Sequence, residues 1–220
     1  MLGVIFGAMA VMLVLTVPIG VMLLAVALIP SLMDPGFMAT VPFVLRNVVG
    51  GLNSTPLLAI PLFILGGIIM AQSGIAKKLF DVFAYLIGDK TGGMPCASII
   101  TCLFYGAISG SAPATTAAVG TMTIPVLDDM GYDHAFNAST VAIAGGLGVI
   151  IPPSVPFIVY SMASGASVGD MFLAGVIPGI LIALCLMIYA VYYSARRGED
   201  RVRIKAVMGE LRGQGFLRLC

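Results

Sequence analysis

Charge is what this sequence has least of. Its 220 residues include 11 Lys or Arg, 10 Asp or Glu and one His, while 60% are hydrophobic. Soluble domains carry about a quarter charged residues, so that class is excluded. No charge occurs in 1–33, 47–76, 91–127, 135–169 or 171–195. Each run exceeds the roughly 20 apolar residues that a helix needs to cross a bilayer. The reading is an all-α polytopic membrane protein.

Other scarcities narrow the function. A net charge of +1 with no basic face in the apolar part excludes a nucleic-acid partner. Cys96, Cys102, Cys185 and Cys220 have no metal-ligand spacing and read as small packing residues. No Asp, Glu or His lies inside the apolar core, where a proton-coupled pump would carry one. His134, beside Asp133, sits at an edge. The first apolar run has no Lys or Arg before it and exceeds the about 7–15 residues of a signal core, so it reads as a retained membrane segment. Seven of the eleven cations fall in the last 25 positions. The tail 196–220 therefore reads as cytoplasmic, either solvated or facing headgroups, with a specific anionic-lipid site as the sharper alternative.

Glycine and proline, in contrast, are plentiful: 27 and 13. They divide the chain into one or two spans in 1–33, a poor span or interfacial stretch from Asp34 to Asn53, and a span in 53–71. An amphipathic interfacial helix follows in 74–90, with Ile75, Leu79, Val82, Phe83 and Leu86 on its apolar side and Lys77, Lys78 and Asp81 opposite. Residues 92–127 are interrupted by "SGSAP". They could cross once, kinked, or enter and return as a re-entrant hairpin with its tip at Ser109–Pro113. A hairpin places Lys77, Lys78, Lys90 and the basic tail on one face, as the positive-inside rule favours, and is the expectation. A broken helix over 133–164 and a span over 171–194 complete the series.

The two breaks carry the chemistry. Non-helical backbone at membrane depth is tolerated only where protein or a water-filled cavity surrounds it. In "GAISGSAPATT", Gly110 turns the chain, Pro113 suits the first turn of a new helix, and Ser109, Ser111, Thr115 and Thr116 supply neutral oxygens. In "GGLGVIIPPS", Gly145, Gly146 and Gly148 allow unwinding, Pro152 and Pro153 stop the helix, and Ser154 can cap its continuation. Carbonyls and hydroxyls without charge form a hard cage suited to Na⁺, near Ser109, Ser111, Gly145 and Gly148. The N-termini of the outgoing half-helices suit an anion. Taken singly, either break could instead be a packing kink.

The blocks "PLLAIPLFILGGIIMAQSGIAKKLF", "GAISGSAPATTAAVGTMTIPVLDDMGYD", "AGGLGVIIPPS" and "FLAGVIPGILIA" resemble the large membrane subunit of TRAP (tripartite ATP-independent periplasmic) transporters. That resemblance implies Na⁺-coupled import of an organic anion, such as a C4-dicarboxylate or sialic acid, across the bacterial inner membrane. It implies a small membrane subunit and a periplasmic substrate-binding protein as partners, and a fold of two inverted repeats that moves as an elevator. It assigns Ser109, Gly110, Ser111, Ala112, Pro113 and Thr115 to the hairpin tip and Gly145 to Ser154 to the unwound partner. Only one hairpin and one broken helix are present, and the motifs stop near Gly198. The expectation is one repeat of such a transporter, truncated. The alternatives are a non-transporting remnant that binds the small subunit and, more remotely, an intramembrane hydrolase with a hairpin serine as nucleophile, which would need a base within reach.

Overall fold

The computed structural model describes residues 2–33, 40–52 and 55–213, so Asn53, part of the Asp34–Asn53 stretch and the end of the basic tail lie outside the described residues. Eleven α-helices and one short 3-10 turn make up the regular structure of the described residues, which contain no strand and are all-α.

Two compact units divide the chain near Thr55. The first holds α1 (Leu2–Val14), α2 (Ile19–Met33) and α3 (Val41–Leu52), so 1–33 forms two short helices rather than one long one. The cause is local. The Val17 N–H donates to the Met12 carbonyl and the Thr16 N–H to that of Leu13, closing α1 with Thr16 at φ 55, and Pro18 cannot extend it.

The second unit begins with α4 (Thr55–Gln72) and α5 (Ile75–Ile87). The buried residues of α5 are Ala76, Phe80 and Ala84, while Leu86 is exposed. The face that packs is thus rotated from the one the large apolar residues suggest. Small Ala76 and Ala84 let α5 lie close to its neighbour, flanking the Phe80 ring.

α6 (Gly93–Ser109) and α7 (Ala112–Asp129) run out and back as a helical hairpin. Gly110 adopts φ 62 and donates its N–H to the Gly106 carbonyl, closing α6 in the left-handed conformation that only glycine takes without strain. Pro113 occupies the first turn of α7, where its missing N–H is no loss.

A second interrupted segment follows. α8 (His134–Gly145) is capped by Asp133, whose carboxylate accepts the N–H groups of Ala135 and Phe136. Residues Gly146–Val149 tighten into the 3-10 turn, helical geometry lapses around Pro152 and Pro153, and α9 (Val155–Ser164) resumes. α10 (Val168–Arg197) spans 30 residues, with Asp170 in its first turn and Arg196 and Arg197 in its last, as the helix dipole favours. Among the described residues it is the one helix that is by itself long and apolar enough to cross a membrane. Its exposed Leu173, Ile177 and Ile188 form an outward apolar face.

α11 (Arg201–Gly213) gives the first part of the basic tail a helix whose Arg201, Arg203 and Lys205 are exposed. Its Ile204 and Met208 are buried in a cluster with Phe80, Ala84, Met94 and Leu127. A larger cluster around Ile99, Tyr105, Val119, Phe136 and Leu147, closed by Ala183 and Ala190 of α10, welds the hairpin to the broken helix.

Candidate functional site

The tip of the hairpin gathers three oxygens. The Thr115 hydroxyl donates to the Ser111 carbonyl at 2.8 Å, and the Ser109 and Thr115 hydroxyls are bonded to each other, also at 2.8 Å. Ser109 Oγ is also 3.3 Å from the Ser111 carbonyl and accepts the Ser111 N–H at 3.4 Å. Ser109 and Thr115 are buried, so every polar atom must find a partner inside the protein. Ser111 contributes its backbone carbonyl and N–H to these bonds.

The two breaks meet here. A Cβ on Gly106 would lie 2.6 Å from the Gly148 Cα, and one on Gly148 would lie 2.6 Å from Thr115 Oγ1 and 3.0 Å from the Ser111 carbonyl oxygen. A Cβ on Gly110 would lie 2.8 Å from the Pro153 carbonyl oxygen, and one on Gly145 would collide with the Thr116 hydroxyl. Ala112 follows the turn as the first residue of α7.

These contacts revise what the glycines of the second break are for. Gly145 and Gly146 hold ordinary right-handed helical angles, so neither unwinds the chain through a conformation reserved for glycine. Gly145 and Gly148 instead give up a Cβ so that α7 and the tip can press against the turn, while Gly146 faces open space. Ser154 stands at the start of α9 but makes no capping bond. Its hydroxyl donates to the Val149 carbonyl at 2.6 Å, satisfying an acceptor freed by the break. Pro152 and Pro153 are joined by a cis peptide.

A cavity of about 570 Å³ opens beside the tip, lined by Ile64, Gly67 and Ile68 of α4, by Ser109 and Ser111, and by the Ala114–Thr121 face of α7. Gly67, Tyr105 and Gly106 are site residues that sequence reasoning missed. The Tyr105 hydroxyl reaches the Gly67 carbonyl at 3.5 Å, and Gly106 is what allows the Gly148 backbone so close. The signal was present for Gly106 alone, one helical turn before Gly110.

Among the described residues no group of three or more His, Cys, Asp or Glu could hold a metal, and the oxygens gathered at the tip are uncharged. His134 lies at the other end of α7, about 27 Å from the tip for an 18-residue helix. There it bonds Asp128 at 2.6 Å, and Asn137 donates to the other Asp128 oxygen at 2.6 Å. Those hydrogen bonds, His134 first, hold the Asp128 carboxyl below the usual carboxylate range. A serine at the tip therefore has no histidine to activate it.

Comparison with known proteins places this geometry in a family. Residues 6–212 match the "Tripartite ATP-independent periplasmic transporter, DctM component". The match includes α11 and passes Gly198, where the short motifs stop. The isethionate TRAP transporter permease protein DctMQ of Oleidesulfovibrio alaskensis is 42% identical over 197 residues, which are 90% of this chain and 31% of that protein. The C4-dicarboxylate TRAP transporter large permease protein DctM of Pseudomonas aeruginosa is 45% identical over 140 residues, covering 64% of this chain and 33% of the relative. An uncharacterized Salmonella typhimurium protein, YgiK, is 40% identical over 213 residues, 95% and 49% respectively. The chain spans less than half the length of these relatives, and those named for a function are transporter permeases, not enzymes. The chain is a member of the tripartite ATP-independent periplasmic transporter family, matching its DctM component, and its setting is a membrane.

Proposed function

We propose that this chain supplies one repeat of the large permease subunit of a secondary transporter, in which the oxygens at the hairpin tip bind the Na⁺ that drives import of an organic anion. The observation that carries the reading is the juxtaposition of Ser109, Thr115 and the Ser111 carbonyl with the Gly148 backbone. Neutral oxygens at the crossing of two broken segments favour a hard monovalent cation over a proton or a soft metal. Gly145 to Ser154 form the partner wall, and the cavity bounded by Ser109, Ser111 and Thr121 takes the substrate beside the ion. A C4-dicarboxylate is one candidate, by analogy with the relatives named for that solute. The hairpin is re-entrant: both of its ends lie on the cytoplasmic side of the bacterial inner membrane with Lys77, Lys78 and Lys90. A small membrane subunit, a periplasmic substrate-binding protein and a second inverted repeat complete the machine, which moves as an elevator.

The experiment is uptake by the assembled permease in liposomes with its cognate binding protein. Uptake that requires an inward Na⁺ gradient, and needs about tenfold more Na⁺ in Ser109→Ala, supports the assignment. Uptake indifferent to Na⁺ would falsify it.

A further inference from the structure

The junction between α10 and α11 is tied to the hairpin far from its tip, by groups the proposed ion site does not use. One oxygen of Glu199, Oε1, accepts the Gly92 N–H at 2.6 Å and the Tyr132 hydroxyl at 2.7 Å. Gly92 opens the outgoing arm of the hairpin and Tyr132 follows the returning arm, so a single carboxylate oxygen joins its two ends. Burial, and then the Glu199 carboxylate, push the Tyr132 phenol up, which keeps it protonated and donating. Arg201 donates to Thr91 Oγ1 at 2.9 Å and Arg197 to Asp133 at 3.2 Å, adding one tie at each side of the same base. Backbone fit fixes the point further: Gly92 holds φ 71, and a Cβ there would lie 2.8 Å from the Val191 Cα.

The same helix touches the other break. A Cβ on Gly175 would collide with the Ile150 carbonyl and the Phe157 ring, and one on Gly179 with the Ile151 side chain. From Gly175 to Val191 an α-helix rises about 24 Å, and from Gly92 to Gly106 about 21 Å. α10 and α6 are thus two struts of nearly equal length. They meet through Glu199 at one end. At the other, Gly106 and Gly175 both abut the segment from Gly148 to Ile150.

We propose that Glu199 is a positioning residue: it sets the register of the hairpin along α10, and through it the placement of the Ser109–Ser111–Thr115 oxygens against Gly148. It touches no ion or substrate and acts through Gly92 and Tyr132. The consequence for sodium rests on the function proposed above, but the register itself is testable without sodium.

The test is hydrogen–deuterium exchange on the full chain in lipid nanodiscs in potassium buffer, comparing Glu199→Ala, Glu199→Gln and Tyr132→Phe with the unaltered protein. Loss of a charge-assisted bond makes the base amides near Gly92 exchange at least about tenfold faster in Glu199→Ala. The tip amides of 108–116 accelerate with them, by about threefold or more. Glu199→Gln keeps an oxygen in place and restores both regions towards the unaltered rates. Tyr132→Phe, which removes one donor only, gives a smaller change of the same pattern and serves if Glu199→Ala does not insert. A loosened base with an unmoved tip overturns the proposal, as does no change at either end. Equal acceleration throughout α6 and α10 assigns Glu199 to general stability and overturns it too.

Discussion

The two ends of the hairpin are held by opposite means. At the tip no charged side chain takes part: glycines 106, 110, 145 and 148 let backbones touch, and hydroxyls and carbonyls satisfy one another. At the base nearly everything is charged: Glu199, Asp128, Asp133, Arg197 and Arg201 bind backbone N–H groups, hydroxyls and each other. The base lies outside the apolar runs, where ions remain hydrated and surface pairs contribute little more than about 1 kcal/mol each. Inside them an unpaired charge would cost far more, and steric fit replaces it. The difference teaches that geometry at the tip is set by missing atoms, and at the base by added ones.

The largest break in that contrast should come from adding one carbon at the tip. Gly148→Ala places a methyl against Thr115 Oγ1 and the Ser111 carbonyl. Uptake by the assembled permease is expected to fall at least about tenfold, as overpacking by one methyl group costs about 1–3 kcal/mol. Gly146→Ala, two residues earlier in the sequence yet facing open space, should leave uptake within about twofold, since its methyl meets nothing. Equal damage from the two would show that helix flexibility, not fit, matters at this break.

Next in size is the split between two serines. Ser109→Ala removes a hydroxyl from the cluster and should raise the Na⁺ concentration for half-maximal uptake about tenfold. Ser111→Ala keeps the carbonyl and should raise it less than about threefold. A reversed order would mean that the Ser111 side chain, not its backbone, is the ligand.

At the base, Asp133→Ala removes the cap of α8 and the partner of Arg197. A loss of about 1 kcal/mol, seen as a lower thermal midpoint with unchanged Na⁺ dependence, is expected. A changed Na⁺ dependence would mean that the Asp133–Arg197 tie, and not Glu199 alone, places the tip.

The smallest effect concerns pH. The Asp128 carboxyl is held below its ordinary range by His134 and Asn137. Its contribution is complete above the ordinary carboxylate value of about 4 and is lost as pH falls through the lowered folded value. Asp128→Asn should therefore flatten the acid limb of thermal midpoint against pH. An unaltered limb would place the acid sensitivity elsewhere.

Much of the site could be read from residues. Gly110 and Pro113 announce the turn because a left-handed residue and a missing donor are local requirements. The second break was legible for the same reason, since Pro152 and Pro153 cannot sit within a helix. What could not be read was the use of Gly145 and Gly148, because a glycine kept for another segment's approach looks like one kept for its own torsion. The face on which α5 packs against the protein was not legible, because the large apolar residues outweigh Ala76 and Ala84 in any periodicity, while close packing prefers the alanines. Glu199 gave no signal: its partners are 107 and 67 residues away, and one is a backbone N–H, which has no residue identity.

The central claim is that the tip oxygens bind sodium, and its most direct test is thermal unfolding of the full chain in nanodiscs as KCl is replaced by NaCl at constant ionic strength. A ligand that binds only the folded state raises the midpoint as its concentration passes the dissociation constant. The account predicts that rise for the unaltered protein, and in Ser109→Ala a rise displaced to about tenfold higher sodium. A midpoint that ignores sodium, or an undisplaced rise in Ser109→Ala, would contradict it.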